Sequence, residues 1–334
     1  MPKQIFEIAV IGAGAAGQMG LLRSVLNNKD TIVFKGDAKT NKKSRATWVS
    51  HVVNMPYSSG IPRPIGSATT SSLQWIQEES EFASKLTVVA DAVSKLTKNQ
   101  DGIFELETAK GESYQAKYVL LATGIMDMQP EIDGSIQPVL PFANKGHIDY
   151  CLRCDGHKSL NKITATIGHG APAAWVAIML HERYQPPELK IFTNGHEPEF
   201  SDDVKELLKL YDIKVITEAI KSIKGDPKTK MEAVELEGGK FEPVEFAFAL
   251  LGQIAYNELA LQVGAEVNAK GNVVCGDKGE SSVPGLYVAG DLRDTGKYQI
   301  YTAWDQAVDS IDDMDAKLRL EYRNNQKQLS LVKP

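Results

Sequence analysis

Two cysteines separated by two residues are the groups in this sequence best suited to redox chemistry. They stand in Cys151-Leu-Arg-Cys154-Asp155-Gly156. Thiols at this spacing can close a small disulfide ring, and a lowered thiol pKa makes one of them a good nucleophile. The carboxylic acid of Asp155 can move protons as the ring opens and closes. The same spacing also serves as half of a metal site. Tetrahedral zinc wants four ligands, however, and no second Cys-x-x-Cys occurs among the three cysteines. The third, Cys275 in Gly-Asn-Val-Val-Cys-Gly-Asp, reads as a small apolar strand residue. His157, beside the pair, can assist proton transfer or act only as a hydrogen-bonded structural residue.

A second kind of chemistry lies in the glycines. Gly12, Gly14 and Gly17, in Gly12-Ala-Gly14-Ala15-Ala16-Gly17, follow the apolar run Ile5 to Ile11 and precede a segment of helical periodicity, Gln18 to Leu26. Such a turn lets the backbone approach a pyrophosphate, whose charge the helix N-terminus stabilises. No acidic ribose ligand ends the next strand, Thr31 to Phe34; Lys35 is there instead. The spacing recurs as Gly168, Gly170 and Ala173, between a strand at Ile163 to Ile167 and a helix at Ala173 to Glu182. Pro172 suits that helix's first turn, and Leu189 to Phe192 reads as the next strand. Far downstream, Val283-Pro-Gly-Leu-Tyr-Val-Ala-Gly290-Asp291 delivers a carboxylate to a turn, where it can accept a hydrogen bond from a ribityl hydroxyl of FAD. Ala122-Thr123-Gly124 ends an intervening strand.

These motifs need elements to hold them. Residues 35 to 67 read as loop and 70 to 84 as helix. Leu86 to Val89, Ala92 to Leu96, Ile103 to Thr108, Tyr114 to Tyr118 and Val119 to Ala122 read as short strands. The polar tail after Leu318 is expected to fray. The fold class is therefore α/β, with two Rossmann-like, three-layer dinucleotide-binding domains, the second inserted in the first. An FAD-binding domain is expected over 1–122 and 248–334. An inserted NAD(P)-like domain carrying the cysteines is expected over 123–247.

Composition agrees with a globular protein: 334 residues, 43% hydrophobic and 24% charged. A net charge of -6 disfavours a general nucleic-acid role. No apolar run approaches the roughly 20 residues that span a bilayer. The first residues enter a strand pattern without the layout of a signal peptide, so a cytoplasmic location is expected.

Over nearly its whole length the sequence resembles the low-molecular-weight thioredoxin reductase family. The resemblance is carried by Gly12 to Gly17, Val53-Asn54-Met-Pro56, Ala122-Thr123-Gly124, Cys151 to Gly156, Gly168-His169-Gly170, and Gly290-Asp291 followed by Gln299. It implies FAD bound by Gly12, Gly14, Ala15, Ala16, Gly17, Asn54, Ala122, Thr123, Gly124, Gly290, Asp291, Gln299 and Ile300. It implies that Cys154 takes electrons from the flavin, that Cys151 attacks a substrate disulfide, and that Asp155 is the proton donor and acceptor. It further implies a rotation of the cysteine domain, a homodimer, and a thioredoxin-like protein or small disulfide as substrate.

Departures from the family are equally specific. NADPH-using members carry a His-Arg-Arg-x-x-x-Arg stretch where this chain has Thr193-Asn-Gly-His-Glu197-Pro-Glu199. Those arginines would clamp the 2'-phosphate. Losing two or three charged contacts, at about 1.5–3 kcal/mol each, weakens NADPH by several orders of magnitude. Trp175 stands where the family has an acidic residue, so Gly168, Gly170, Ala173 and Trp175 mark an altered second nucleotide site. The sequence fits branches that look to ferredoxin for electrons, one of which holds a second FAD in place of NADPH. The basic loop from Lys35 to Arg45 could dock an acidic carrier, or be merely solvated. The family's Gly-Gly-Gln is replaced by Ser44-Arg-Ala-Thr-Trp48, and its small residues after Gln299 by Tyr301, Trp304 and Asp305. Those aromatics could stack on a flavin or serve as core or dimer contacts.

The leading expectation is an FAD-dependent disulfide oxidoreductase that is not driven by NADPH. A dithiol oxidase passing electrons to oxygen would keep the same cysteines. A flavoprotein sensor or binding module would have no use for them.

Overall fold

The computed structural model describes residues 4–37, 39, 45, 52–56 and 65–332. Strand β1 (Ile5–Ile11) leads through the glycine turn into helix α1 (Ala15–Leu26) and on to β2 (Thr31–Phe34). Helices α2 (Ile65–Glu78) and α3 (Ser80–Ala83) precede β3 (Leu86–Val89). Then come β4 (Val93–Lys98), β5 (Phe104–Thr108), β6 (Ser113–Leu121) and β7 (Ile125–Asp127). Next are α4 (Leu140–Ala143), β8 (Ile148–Asp149), α5 (Leu152–Asp155) and a 3-10 turn at Gly156–Ser159. A βαβαβ run follows: β9 (Thr164–Ile167), α6 (Ala171–Tyr184), β10 (Leu189–Phe192), α7 (Asp202–Leu210) and β11 (Lys214–Ile216). Three antiparallel strands, β12 (Ile220–Asp226), β13 (Lys230–Leu236) and β14 (Phe241–Pro243), precede β15 (Phe246–Ala249). Last are β16 (Gln253–Ala255), α8 (Glu258–Gln262), β17 (Leu286–Val288) and α9 (Ile300–Val332).

The chain divides into two compact units. One comprises Met1–Ser44, Gly66–Met126 and Ile254–Pro334; the other comprises Arg45–Ile65 and Asp127–Gln253. In the first unit, β1 lies between β2 and β6 and runs parallel to both. It is buried on both faces, which is why its sequence is a nearly continuous apolar run. Ile8 and Val10 face one core, shared with Leu21 and Val25 of α1 and Ala307 and Ile311 of α9. Ala9 and Ile11, one residue out of phase, face the other core with Leu96, Phe104 and Val288. The far edge of β6 carries β17 in parallel and β5 antiparallel. In the second unit, five parallel strands run in the order β11-β10-β9-β15-β8.

The two glycine turns repeat one construction. Gly12 N donates to Phe34 O at 2.9 Å, and Gly168 N to Phe192 O at 2.9 Å. Ala122 N donates to Ile11 O at 2.8 Å, and Leu250 N to Ile167 O at 2.8 Å. Gly12 has φ +103° and a Cβ there would overlap the Ala122 carbonyl. Gly168 has φ +153° and a Cβ there would come to 2.7 Å from Leu250 O. A Cβ on Gly17 would overlap the Gly12 carbonyl, whereas the second turn accepts the buried Ala173 at that place.

The structure corrects three sequence expectations. The helix expected over 70 to 84 begins at Ile65, inside the expected loop, and breaks at Glu79, whose ψ of 114° is extended. The segments 114 to 118 and 119 to 122 form the single strand β6. The tail after Leu318 remains helical as far as Val332 although residues 319–330 are exposed. A docked helix extends without a new nucleation cost, and this stretch holds good helix formers with neither glycine nor proline. An Arg319–Asp315 ion pair at 2.8 Å supports it. No helix among the described residues is long and apolar enough to cross a membrane.

Backbone packing at the first turn yields a contrast. Gly17→Ala should lower stability by about 1–3 kcal/mol, because the obstructing atom is a backbone carbonyl. Gly14→Ala should be close to neutral, since φ is -74° and nothing lies within 4 Å of the added carbon. Urea unfolding of the two variants checks this; equal destabilisation would contradict it.

Candidate functional site

Cys151 is the N-cap of α5, with extended φ/ψ of -133° and 100°, and Cys154 lies one turn later. The two are joined as a disulfide with a Cα–Cα distance of 5.3 Å. Cys154 N donates to Cys151 Sγ at 3.2 Å and to Cys151 O at 3.1 Å. A backbone donor aimed at sulfur favours the thiolate once the bond is opened. Gly156 lets the turn pack closely: a Cβ there would come to 2.6 Å from the Tyr184 ring and 2.8 Å from Leu152.

Asp155 is buried, and the structure brings to it two residues that sequence reasoning missed. Asp149 of β8 is also buried, and the ammonium of Lys158 reaches both carboxylates, at 2.8 Å from Asp149 and 2.9 Å from Asp155. Burial, reinforced by the neighbouring Asp155 charge, pushes the Asp149 carboxyl up to about 6 against the pull of Lys158. Burial pulls the Lys158 ammonium down, but the Asp149 and Asp155 carboxylates outweigh it and leave it above the usual lysine range. The signal in the sequence was an ionisable residue in the otherwise apolar Ile148-Asp149-Tyr150. Tyr150 donates to Gln129 Oε1 at 2.5 Å, and burial raises its phenol above the usual range. Arg153 and His157 are exposed on the outer face of the same short turn.

The first unit holds all of the expected flavin residues except Asn54. Gly14, the N-cap of α1, makes no side-chain cap bond, and open space lies where its Cβ would be. The first amides of α1 thus lie beside room for an anion, at the positive end of the helix. This fits a dinucleotide pyrophosphate held by Gly12, Gly14, Ala15, Ala16 and Gly17. Gly290, at φ +83°, is held against that helix: a Cβ on it would come to 3.0 Å from Ala16 Cβ and 3.8 Å from Ala303 Cβ. Asp291 is therefore beside the turn, and its carbonyl accepts from Asn272 Nδ2 at 2.9 Å. Ala122 packs against Gly12 and Gly17, while Thr123 Oγ1 donates to Tyr256 O at 2.7 Å and Gly124 O accepts from Tyr256 N at 3.2 Å. Gln299 is buried and Ile300 begins α9, whose Ala303 reaches Gly290. Asn54 lies in the second unit and is half-buried. Tyr301 and Trp304 are 47% and 37% exposed, which removes core from the alternatives and leaves flavin stacking or dimer contact.

The second glycine turn has a different surround. Gly170, the N-cap of α6, also lacks a side-chain cap bond. Here the chain's own 193–199 segment folds onto the turn: Glu199 N donates to His169 O at 2.8 Å, and the His169 and His196 rings lie 4.7 Å apart. His169 Nδ1 is buried without a hydrogen-bond partner among the described residues. Trp175 of α6 is 46% exposed. Most of the basic loop from Lys35 to Arg45, and the Ser44 to Trp48 stretch apart from Arg45, lie outside the described residues. Arg45 itself makes a two-point contact with Asp127, its Nε at 2.7 Å.

Residues 6–308 match the family described as pyridine nucleotide-disulphide oxidoreductase. The chain is 26% identical over 307 residues to a thioredoxin reductase of Mycoplasmopsis pulmonis, covering 90% of this chain and 93% of that protein. It is 25% identical over 311 residues to the F component of alkyl hydroperoxide reductase of Xanthomonas campestris pv. phaseoli, covering 90% of this chain but only 55% of that longer protein. The fold is shared with thioredoxin reductase of Streptococcus pyogenes, at a TM-score of 0.81 and 19% identity, covering 94% of this chain and 98% of the other. The chain therefore belongs to the pyridine nucleotide-disulphide oxidoreductase family and, within it, is an FAD-dependent oxidoreductase of the thioredoxin reductase-like kind.

Proposed function

We propose that this protein is a thiol–disulfide oxidoreductase in which Cys151 and Cys154 carry electrons between FAD and a disulfide substrate, with a donor other than NADPH. The observation that carries this reading is the Cys151–Cys154 disulfide on a turn whose next residue is the buried Asp155. FAD supplies a two-electron couple when bound. Gly12 to Gly17 would hold its pyrophosphate through backbone amides, with Ala122, Thr123 and Gly124 beside them. Asp291, next to Gly290, would accept from its ribityl chain, and Gln299 and Ile300 would line the ring. On the substrate side, Cys151 sulfur attacks one sulfur of the partner disulfide. The departing partner thiolate takes a proton. Cys154 then displaces the second partner sulfur, so the Cys151–Cys154 bond re-forms as the partner bond is lost. Asp155 gives and takes the proton at Cys154. The partner is a thioredoxin-like protein or a small disulfide.

The choice of donor rests on the second turn. No arginine lies in 193–199, Glu197 and Glu199 would repel a 2'-phosphate, and the His169–His196 pair occupies the turn's flank. A ferredoxin, or another one-electron carrier, is the donor this reading favours. A second FAD in place of NADPH draws support from Trp175, whose partly exposed indole on α6 could stack on a flat ring.

Anaerobic reduction tests the donor. Reduced ferredoxin should bleach the flavin absorbance, and NADPH at the same concentration should not; rapid bleaching by NADPH would overturn the reading of the second turn. FAD quantified per chain should exceed one if the second site also holds it. Cys151→Ser or Cys154→Ser should lower disulfide turnover by at least ~100-fold with flavin retained. Burial pushes the Cys275 thiol up to about 12, so it stays neutral at pH 8. Alkylation of the reduced protein at pH 8, read by peptide mass, should therefore modify Cys151 and Cys154 and spare Cys275. Comparable labelling of all three would refute that assignment.

A further inference from the structure

Asp149 and Lys158 enter none of the roles assigned above, yet they surround the carboxyl that the proposed function uses. Both Asp149 and Asp155 have side chains about a tenth exposed or less, and Lys158 Nζ lies 2.8 Å and 2.9 Å from them. The groups facing this cluster are otherwise the exposed His157 and the neutral Tyr150; the strand beside Asp149 offers Ala247 and Phe248, which carry no charge. Tyr184 of α6 lies against Gly156 at its other side.

Fully ionised, two buried carboxylates and one partly exposed ammonium leave a net negative charge. Retaining one proton makes the cluster neutral, and removing charge from a buried place lowers its desolvation cost. The Lys158 ammonium stands between the two carboxylates, 2.8 Å from Asp149 and 2.9 Å from Asp155, so a proton held at Asp149 lies across one cation from Asp155. We propose that Asp149 is a positioning residue for proton transfer at the redox disulfide: across Lys158 it holds a proton in reach of Asp155, the carboxyl that serves the leaving cysteine sulfur. The direction of the Asp149 shift agrees with this. The step balances. An external dithiol becomes a disulfide, the Cys151–Cys154 bond breaks and takes the two electrons, and the carboxyl pair gives one proton to the leaving sulfur and regains it from solvent.

This rests on the proton role given to Asp155, and its test needs neither flavin reduction nor a physiological partner. The full-length protein is mixed with excess dithiothreitol between pH 5 and 9, quenched with an alkylating agent and read by mass. The opening rate is divided by the concentration of dithiothreitol thiolate. In the unaltered protein this corrected rate should fall as pH rises through an inflection near 6, as the Asp149 proton is lost. Asp149→Asn removes the group that holds the proton, so this inflection should be lost. Lys158→Gln removes the cation, so the inflection should move up by roughly one pH unit or more. Asp149→Glu should restore it to within about half a unit. Loss in one variant and an upward move in the other is the signature, because simple loosening of the turn would alter both variants alike. An inflection that persists near 6 in Asp149→Asn, or that fails to rise in Lys158→Gln, would overturn the proposal. If Asp149→Asn does not fold, the direction of the Lys158→Gln shift decides alone. Persistence of the inflection in Asp155→Asn sinks this inference and leaves the cysteine assignment standing; turnover surviving in Cys151→Ser sinks that assignment instead.

Discussion

At Gly12 the chain passes so close to Ala122 that a single added carbon would overlap a backbone carbonyl, and at Gly17 the obstructing carbonyl is that of Gly12 itself. Backbone against backbone has no rotamer with which to yield. The end of β1, the start of α1 and the end of β6 are thus fixed to one another before any side chain is considered. Everything that converges there follows. Gly290 is drawn against Ala16, the first turn of α9 against Gly290, and α9 along α1, where Arg23 makes a two-point contact with Asp312 at 2.6 and 2.9 Å. The second unit uses the same constraint at Gly168 under Leu250. It differs at the third position, which is the buried Ala173 in place of a glycine.

Features governed by backbone geometry were the ones legible in the sequence. Glycines followed by helical periodicity announced both turns, and the apolar runs at Ile5 to Ile11 and Leu189 to Phe192 announced central strands, because burial on both faces leaves little room for polar residues. The cysteine pair was legible for the same reason: two thiols at that spacing meet whenever a helical turn follows the first. What the sequence concealed depended on long-range contact. The last turns of α9, from Arg319 to Val332, are one case: their polar residues look like a fraying tail because their stability derives from the docked half of the helix. Asp149 is another. It precedes Cys151 by two residues, but its pairing with Phe248 of β15 and its contact with Lys158 of the following turn are made by the fold. The break at Glu79 has no periodicity signal.

The second glycine turn shows how a scaffold can keep its strand geometry while its surface changes. The hydrogen bonds that close it, Gly168 to Phe192 and Leu250 to Ile167, match those of the first turn. What differs is carried by side chains and by the 193–199 segment, which meets the turn through Glu199 and His196. A 2'-phosphate is recognised by charge beyond the end of the second strand, so the side chains that stand there are set independently of the parallel sheet.

Charge balance separates two clusters of the second unit that look alike at first. Lys190, fully buried, lies 3.0 Å from Glu242 and 3.6 Å from Glu188, another single lysine between two carboxylates. There each glutamate has a further lysine, Lys240 at 2.5 Å for Glu242 and Lys214 at 2.5 Å for Glu188. Lysines are in excess, and both glutamates are held below the usual carboxylate range, Glu188 chiefly by Lys214 and Glu242, against its burial, by Lys240 and Lys190. That network has no reason to bind a proton near neutrality, and it ties β10 to β14. At Asp149 and Asp155 the excess is of carboxylate, and burial pushes the Asp149 carboxyl upward instead. The same kinds of charge thus make a brace in one place and a proton store in the other. The difference is the supply of lysine, and the shortage falls beside the disulfide, where a leaving sulfur needs a proton.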